Sequence, residues 1–215
     1  RSIAEATDIV NGATFDIQRT GSTYTADTVT SSNKFFLDVG GGATYTPDFT
    51  LYVGNTYQFD LSSQSVADHP LALSIYPDGP NSPSRVQAST LLSTSNAQIT
   101  VPDTTNIVSG MLVTASGTGT IPSGTTVASI VDGTTVELSA LPTLAGAADL
   151  VFAGVEYTDG VTRTSNSLTI KVSDTTPSTL YYYCTVHTNM GGDDGYEASI
   201  TVDPNNPKVF GSGFV

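Results

Sequence analysis

The sequence predicts an all-β protein, and three observations support that prediction. Thr, Ser, Gly, Val and Tyr are abundant, whereas helix formers such as Lys, Arg and Met are scarce, a bias typical of strands and turns. Short segments in which apolar and polar residues alternate recur along the chain, with the period of a half-buried strand. Gly and Asn, which tolerate the positive φ of tight turns, separate several of these segments.

The composition also limits the function classes. The formal net charge is −13, with seven Lys and Arg against 20 Asp and Glu. Such a surface repels nucleic acid and anionic membranes, so we expect neither as a partner. No apolar run approaches the roughly 18 residues of a membrane span, so no membrane insertion is expected. The chain begins at Arg1 without a recognisable signal peptide, and we expect it to be processed or to belong to a longer polypeptide.

The alternating segments are expected to be strands in chain order. Within residues 1–32, which we expect to be an N-terminal arm or a peripheral strand, residues 13–18 alternate like a short strand. Residues 76–92 are turn-rich, and Asp132-Gly133 is a strong hairpin signal. The other expected strands cover residues 34–39, 49–53, 56–61, 71–75, 97–101, 166–172, 180–184 and 196–202.

One loop collects the residues with metal-binding chemistry. Cys184, His187 and Met190 are spaced C-x2-H-x2-M after a Tyr-rich strand, and the other histidine of the chain is His69. A thiolate and two imidazoles in a plane, with a weak axial thioether, are the ligand set of a blue-copper site. Since Cys184 has no second cysteine to pair with, it is a metal ligand, a free thiol or a small core residue.

This arrangement resembles the cupredoxins, and the loop spacing is that of the amicyanin type. The resemblance implies a cupredoxin-like Greek-key β-sandwich, in which loops at one end bring the distant histidine to the cysteine loop. It implies that His69, Cys184 and His187 are equatorial copper ligands and that Met190 is axial. In typical cupredoxins the residue after the first histidine donates its N–H to the cysteine sulfur. Here that residue is Pro70, which has no N–H, so a lowered reduction potential is expected.

The distance in sequence between the two halves of this site predicts an insertion. Residues 33–103 and 154–203 are expected to form the discontinuous sandwich, and residues 104–153 an inserted small β module. Insertion into a loop costs little because closure entropy grows slowly with length. Residues 204–215 are expected to be a C-terminal tail.

Two main functions follow from these features. Structural proteins of marine phages contain segments that resemble residues 34–38, 69–71 and 182–187 of this chain. The sequence of the inserted module also resembles segments of phage structural proteins. The resemblance implies a structural component of a virion or other extracellular assembly, with copies of itself or other subunits as partners. The alternative is a soluble or cell-surface blue-copper protein that passes electrons to a redox partner. A glycan-binding surface adhesin is a third hypothesis. We expect no enzyme, because no G-x-S-x-G elbow, P-loop or dinucleotide fingerprint is present.

Overall fold

The all-β prediction is confirmed. The computed structural model describes residues 14–20, 34–38, 44–62, 68–193 and 196–205, and these form strands and turns with one short 3-10 helix, Gly79–Asn81. The chain divides into two compact units, residues 1–78 with 156–215, and residues 79–155. In the described part of the chain, no helix has the length and hydropathy needed to cross a membrane.

Within its described residues, the first unit contains twelve strands. They are Thr14–Thr20 (β1), Lys34–Asp38 (β2), Thr44–Tyr45 (β3), Phe49–Tyr52 (β4), Thr56–Asp60 (β5), Leu71–Ser74 (β6), Val161–Arg163 (β13), Ser167–Lys171 (β14), Thr179–Cys184 (β15), Gly192–Asp193 (β16), Tyr196–Glu197 (β17) and Ser199–Asp203 (β18).

These strands form a six-stranded sheet in the order β13-β14-β5-β1-β2-β3 and a four-stranded sheet in the order β4-β18-β15-β6, with β16 and β17 paired separately. Most neighbours are antiparallel, but β1 is parallel to β5 and β18 is parallel to β4. Of the predicted N-terminal arm, the structure describes β1, which lies between β5 and β2 in the six-stranded sheet. Residues 1–13 and 21–33 lie outside the described residues. Of the predicted tail, residues 206–215 also lie outside them.

One apolar core is shared by the two larger sheets, the arrangement of a β-sandwich. The strands that contribute to it alternate inward and outward side chains, as period-2 patterning requires. Its buried members are Phe35, Leu37, Phe49, Leu51, Tyr57, Phe59, Leu71, Leu73, Leu168, Ile170, Val172, Leu180, Tyr182, Cys184, Met190, Ala198, Ile200 and Val202.

The turn between β4 and β5 lies where the sequence placed it. Gly54 has φ +89°, a conformation that most side chains disfavour. The buried hydroxyl of Tyr57 accepts hydrogen bonds from the N–H of Tyr52 at 2.9 Å and from the Asn55 side chain at 3.0 Å. One tyrosine thereby fixes the end of β4, the turn and the start of β5.

The second unit, residues 79–155, has six strands: Arg85–Leu92 (β7), Gln98–Thr100 (β8), Leu112–Gly117 (β9), Val127–Asp132 (β10), Thr135–Leu138 (β11) and Gly146–Ala153 (β12). The predicted module at 104–153 lies inside this unit. The hairpin signal at Asp132-Gly133 is confirmed, since Asp132 pairs with Thr135 where β10 meets β11. These strands form two three-stranded sheets, ordered β7-β12-β9 and β10-β11-β8.

Candidate metal centre

The pairing of β15 with β6 brings the distant histidine to the cysteine. The two strands are antiparallel, and Cys184 at the end of β15 pairs with Leu71 at the start of β6. His69 lies two residues before Leu71, so it emerges at the end of the sheet where the chain after Cys184 begins its loop. The N–H of Thr185 donates to the carbonyl oxygen of Pro70 at 3.0 Å, which extends the contact beyond the strands.

The aromatic packing of β15 sets the direction in which Cys184 points. Tyr182 faces the core, stacks on Phe49 with ring centroids 5.9 Å apart and contacts the edge of Phe35. Its hydroxyl donates to the carbonyl oxygen of Pro47 at 3.0 Å. Because side chains two apart share one face of a strand, Cys184 also faces inward, and it is fully buried.

The four residues predicted from the sequence meet at this end of the first unit. The Cys184 sulfur lies 3.9 Å from Nδ1 of His69 and 3.8 Å from Nδ1 of His187. The two imidazole rings have centroids 4.5 Å apart and are tilted by 37°. The Met190 sulfur lies 3.0 Å from Nδ1 of His69. The possible ligand atoms of His69, Cys184 and His187 all lie within 4.8 Å of one another, a spacing that fits a single metal ion.

These separations pass a simple geometric test. An ion bonded to sulfur at about 2.3 Å and to nitrogen at about 2.0 Å, the lengths that zinc makes with these donors, holds them about 3.5–3.7 Å apart at angles of about 110–120°. The observed sulfur-to-nitrogen distances of 3.8 and 3.9 Å lie within a few tenths of an ångström of that range. The cysteine sulfur thus lies close to the distance from each imidazole nitrogen that a shared ion would set.

Burial divides the site into a closed side and an open side. His69 is 3% exposed, and Cys184 and Met190 are fully buried. His187 is exposed, as is the neighbouring Val186 at 62%. Three buried candidate ligands and one exposed imidazole would leave a small ion a route in and shield the cysteine sulfur from solvent.

The cysteine sulfur receives a backbone hydrogen bond despite Pro70. The N–H of Val186, two residues after Cys184, points at the sulfur with an N···S distance of 3.4 Å. Pro70 removes the donor expected from the first histidine segment, as the sequence indicated. The donor from Val186 was not predictable from the sequence, because it depends on the conformation of the loop after Cys184.

On the opposite face of β15, Tyr183 is buried beneath charged residues. Burial, with a further contribution from the Glu156 carboxylate, raises the pKa of Tyr183 to about 12. Glu156 forms an ion pair with Arg163 at 2.6 Å. Tyr183 therefore stays neutral at any ordinary pH.

Two charged residues of the site were not singled out in the sequence analysis. The Lys34 ammonium donates to the carbonyl oxygens of Asn189 and Gly192, and the Asp78 carboxylate accepts from the Asn189 N–H at 3.0 Å. All three contacts join residues more than a hundred positions apart, so local sequence patterns carried no signal for them.

Comparison of the chain with models of known protein families, with curated protein sequences and with solved structures gave no match.

Proposed function

We propose that this chain is a cupredoxin-like protein that binds one copper ion through His69, Cys184, His187 and Met190. The observation that carries the proposal is the convergence of a buried thiol and two imidazoles at spacings that suit one ion. The thioether of Met190 lies beside them, next to His69. Soft sulfur donors combined with imidazole favour copper or zinc over calcium or magnesium. Two sheets around one core, with the ligands at one end, also support a cupredoxin-like Greek-key sandwich.

Copper bound by these residues would supply one-electron transfer between Cu(II) and Cu(I). The chain's own residues account for the rest of the site. Burial of Cys184 and Met190 keeps bulk water from the sulfur donors, and the Val186 N–H stabilises the thiolate by a hydrogen bond. Pro70 leaves the thiolate without a donor from that position, so we still expect a low reduction potential for this class of site. The proposal includes no substrate turnover.

Copper titration of the purified protein, followed by visible absorption and metal analysis, tests this function. We expect one copper per chain and an intense thiolate-to-Cu(II) charge-transfer band. Cys184→Ser removes the band, and Met190→Leu keeps it but alters its shape. Met111→Leu is the matched control, because Met111 is a buried methionine of the other compact unit. Absence of a band in the wild-type protein, with copper bound equally well by Cys184→Ser, would refute the proposal.

A structural role in a virion or other extracellular assembly stays a second proposal. It is favoured by two apolar side chains exposed on β7, a strand that lies at an edge of its sheet in the described part of the chain: Val86 is 61% exposed and Leu91 is 75% exposed. Exposed apolar residues on an edge strand are suited to contact another subunit. Sedimentation of the wild-type protein against Leu91→Lys tests this role. A monomer at every concentration for both proteins would refute it.

A further inference from the structure

Lys34 bridges the backbone on both sides of the Met190 ligand. It is the first residue of β2, and its ammonium donates to the carbonyl oxygen of Asn189, with an N···O distance of 2.5 Å, and to that of Gly192. The next residue, Phe35, donates its N–H to the carbonyl oxygen of Met190 at 2.9 Å. Two consecutive residues of β2 therefore hold three carbonyl groups of the segment 189–192.

The loop needs such support because its backbone is in an uncommon conformation. Asn189 has φ +60°, in the left-handed region that L-residues rarely adopt, although Asn tolerates it better than most. The Asp78 carboxylate accepts from the Asn189 N–H at 3.0 Å, while Lys34 binds the Asn189 carbonyl group. The N–H and the carbonyl group of Asn189 are thus each bound by a charged side chain, and such charge-assisted hydrogen bonds are stronger than neutral ones.

We propose that Lys34 is a positioning residue for the Met190 thioether. By fixing the backbone on both sides of Met190, it holds the sulfur 3.0 Å from Nδ1 of His69 before any ion binds. A ligand placed in advance need not be ordered when the ion arrives, so the site is biased toward soft ions that accept a thioether. The inference extends the proposed function by naming a residue that is not a ligand but sets ligand placement.

The metal-free protein provides the first test. With 13C-methyl methionine labelling, the chain gives two methionine signals, Met190 beside Lys34 and Met111 in the other compact unit as an internal reference. We expect Lys34→Leu, which removes the donors, to shift and broaden the Met190 methyl signal and leave that of Met111 unchanged. Lys34→Arg should largely restore the signal. Lys171→Leu, at an exposed lysine of the same unit, is the matched control.

The second test is binding of Cu(I). Loss of a residue that orients a metal ligand typically weakens metal binding by about 10- to 100-fold, and we expect that range for Lys34→Leu. On Cu(II) loading, the relative intensities of the charge-transfer bands should also change in Lys34→Leu and recover in Lys34→Arg. If Lys34→Leu does not fold, Lys34→Gln replaces it, because its side chain is one bond shorter and cannot reach both carbonyl groups.

The two proposals fail in different ways. An unchanged Met190 methyl signal and unchanged Cu(I) affinity in the donor-removing variant would overturn the role of Lys34. A wild-type protein that binds no copper would overturn the proposed function, and the methyl signals of the metal-free proteins would still decide whether Lys34 positions Met190.

Discussion

Gly191 follows Met190 directly and leaves no room for a side chain. A Cβ at this position would lie 1.9 Å from the carbonyl oxygen of Tyr182, whereas real Cβ contacts are essentially never below 3.0 Å. The backbone would have to move by at least the difference of 1.1 Å between those distances. The Gly191 carbonyl oxygen also accepts the Ala198 N–H at 3.1 Å, so the shift would disturb the connection to the closing strand.

We expect Gly191→Ala to destabilise the first unit by about 1–3 kcal/mol, the usual cost of forcing extra atoms into a packed site. Urea unfolding followed by circular dichroism measures the free energy, and the methyl signals of Met190 and Met111 assign the change to one unit or the other. Copper affinity should fall as well, because the displaced segment carries Met190.

Gly133→Ala is the control. A Cβ on Gly133 meets nothing within 4 Å, and we expect stability to be unchanged or raised by less than about 1 kcal/mol. The steric reasoning would be refuted if Gly191→Ala were as stable as the wild-type protein and its Met190 signal did not move.

Three further predictions concern individual side chains. Tyr182→Phe leaves the carbonyl oxygen of Pro47 without its buried donor, so the free energy of unfolding should fall by about 1–3 kcal/mol in urea titrations. Tyr183 has a folded-state pKa of about 12 against an ordinary value of 10.0. The folded state therefore holds this proton more tightly, and its stabilising effect is complete below pH 10 and is lost as the pH rises toward 12. As the pH rises toward 12, the free energy of unfolding should therefore fall by on the order of 2 kcal/mol less in Tyr183→Phe than in the wild-type protein. Urea unfolding at a series of pH values measures this difference. Phe152→Ala should destabilise the unit of residues 79–155 by about 3–5 kcal/mol and leave copper binding intact, since the predicted ligands lie in the other unit.

The sequence predicted strands well where apolar residues alternate and face one core. Residues 56–60 and 180–184 are examples, with Phe59 and Tyr182 directed inward. It missed β7, because that strand reverses the usual pattern. Gln87 and Thr90 are buried, whereas Val86 and Leu91 are exposed, and register irregularity occurs where β7 pairs with β12. The pairing of such a strand depends on the strands beside it, and its own sequence lacks the alternation of apolar residues that predicts a strand.

The sequence predicted which candidate residues come together, but not the contacts that support them. The C-x2-H-x2-M spacing and the rarity of Cys and His identified residues that the fold brings together. The supporting contacts of Lys34 and Asp78 with the ligand loop depend on the pairing of distant segments. A lysine at the start of a strand has nothing in its local sequence to indicate that its ammonium will bind a loop more than 150 residues later.

X-ray absorption spectroscopy at the copper edge, on protein loaded with one equivalent of copper, tests directly whether Cys184 binds the metal. We expect one sulfur and two imidazole nitrogens at bonding distance, with the sulfur contribution lost in Cys184→Ser. A spectrum from the wild-type protein with only nitrogen and oxygen neighbours would contradict it, because copper would then be bound elsewhere than at Cys184.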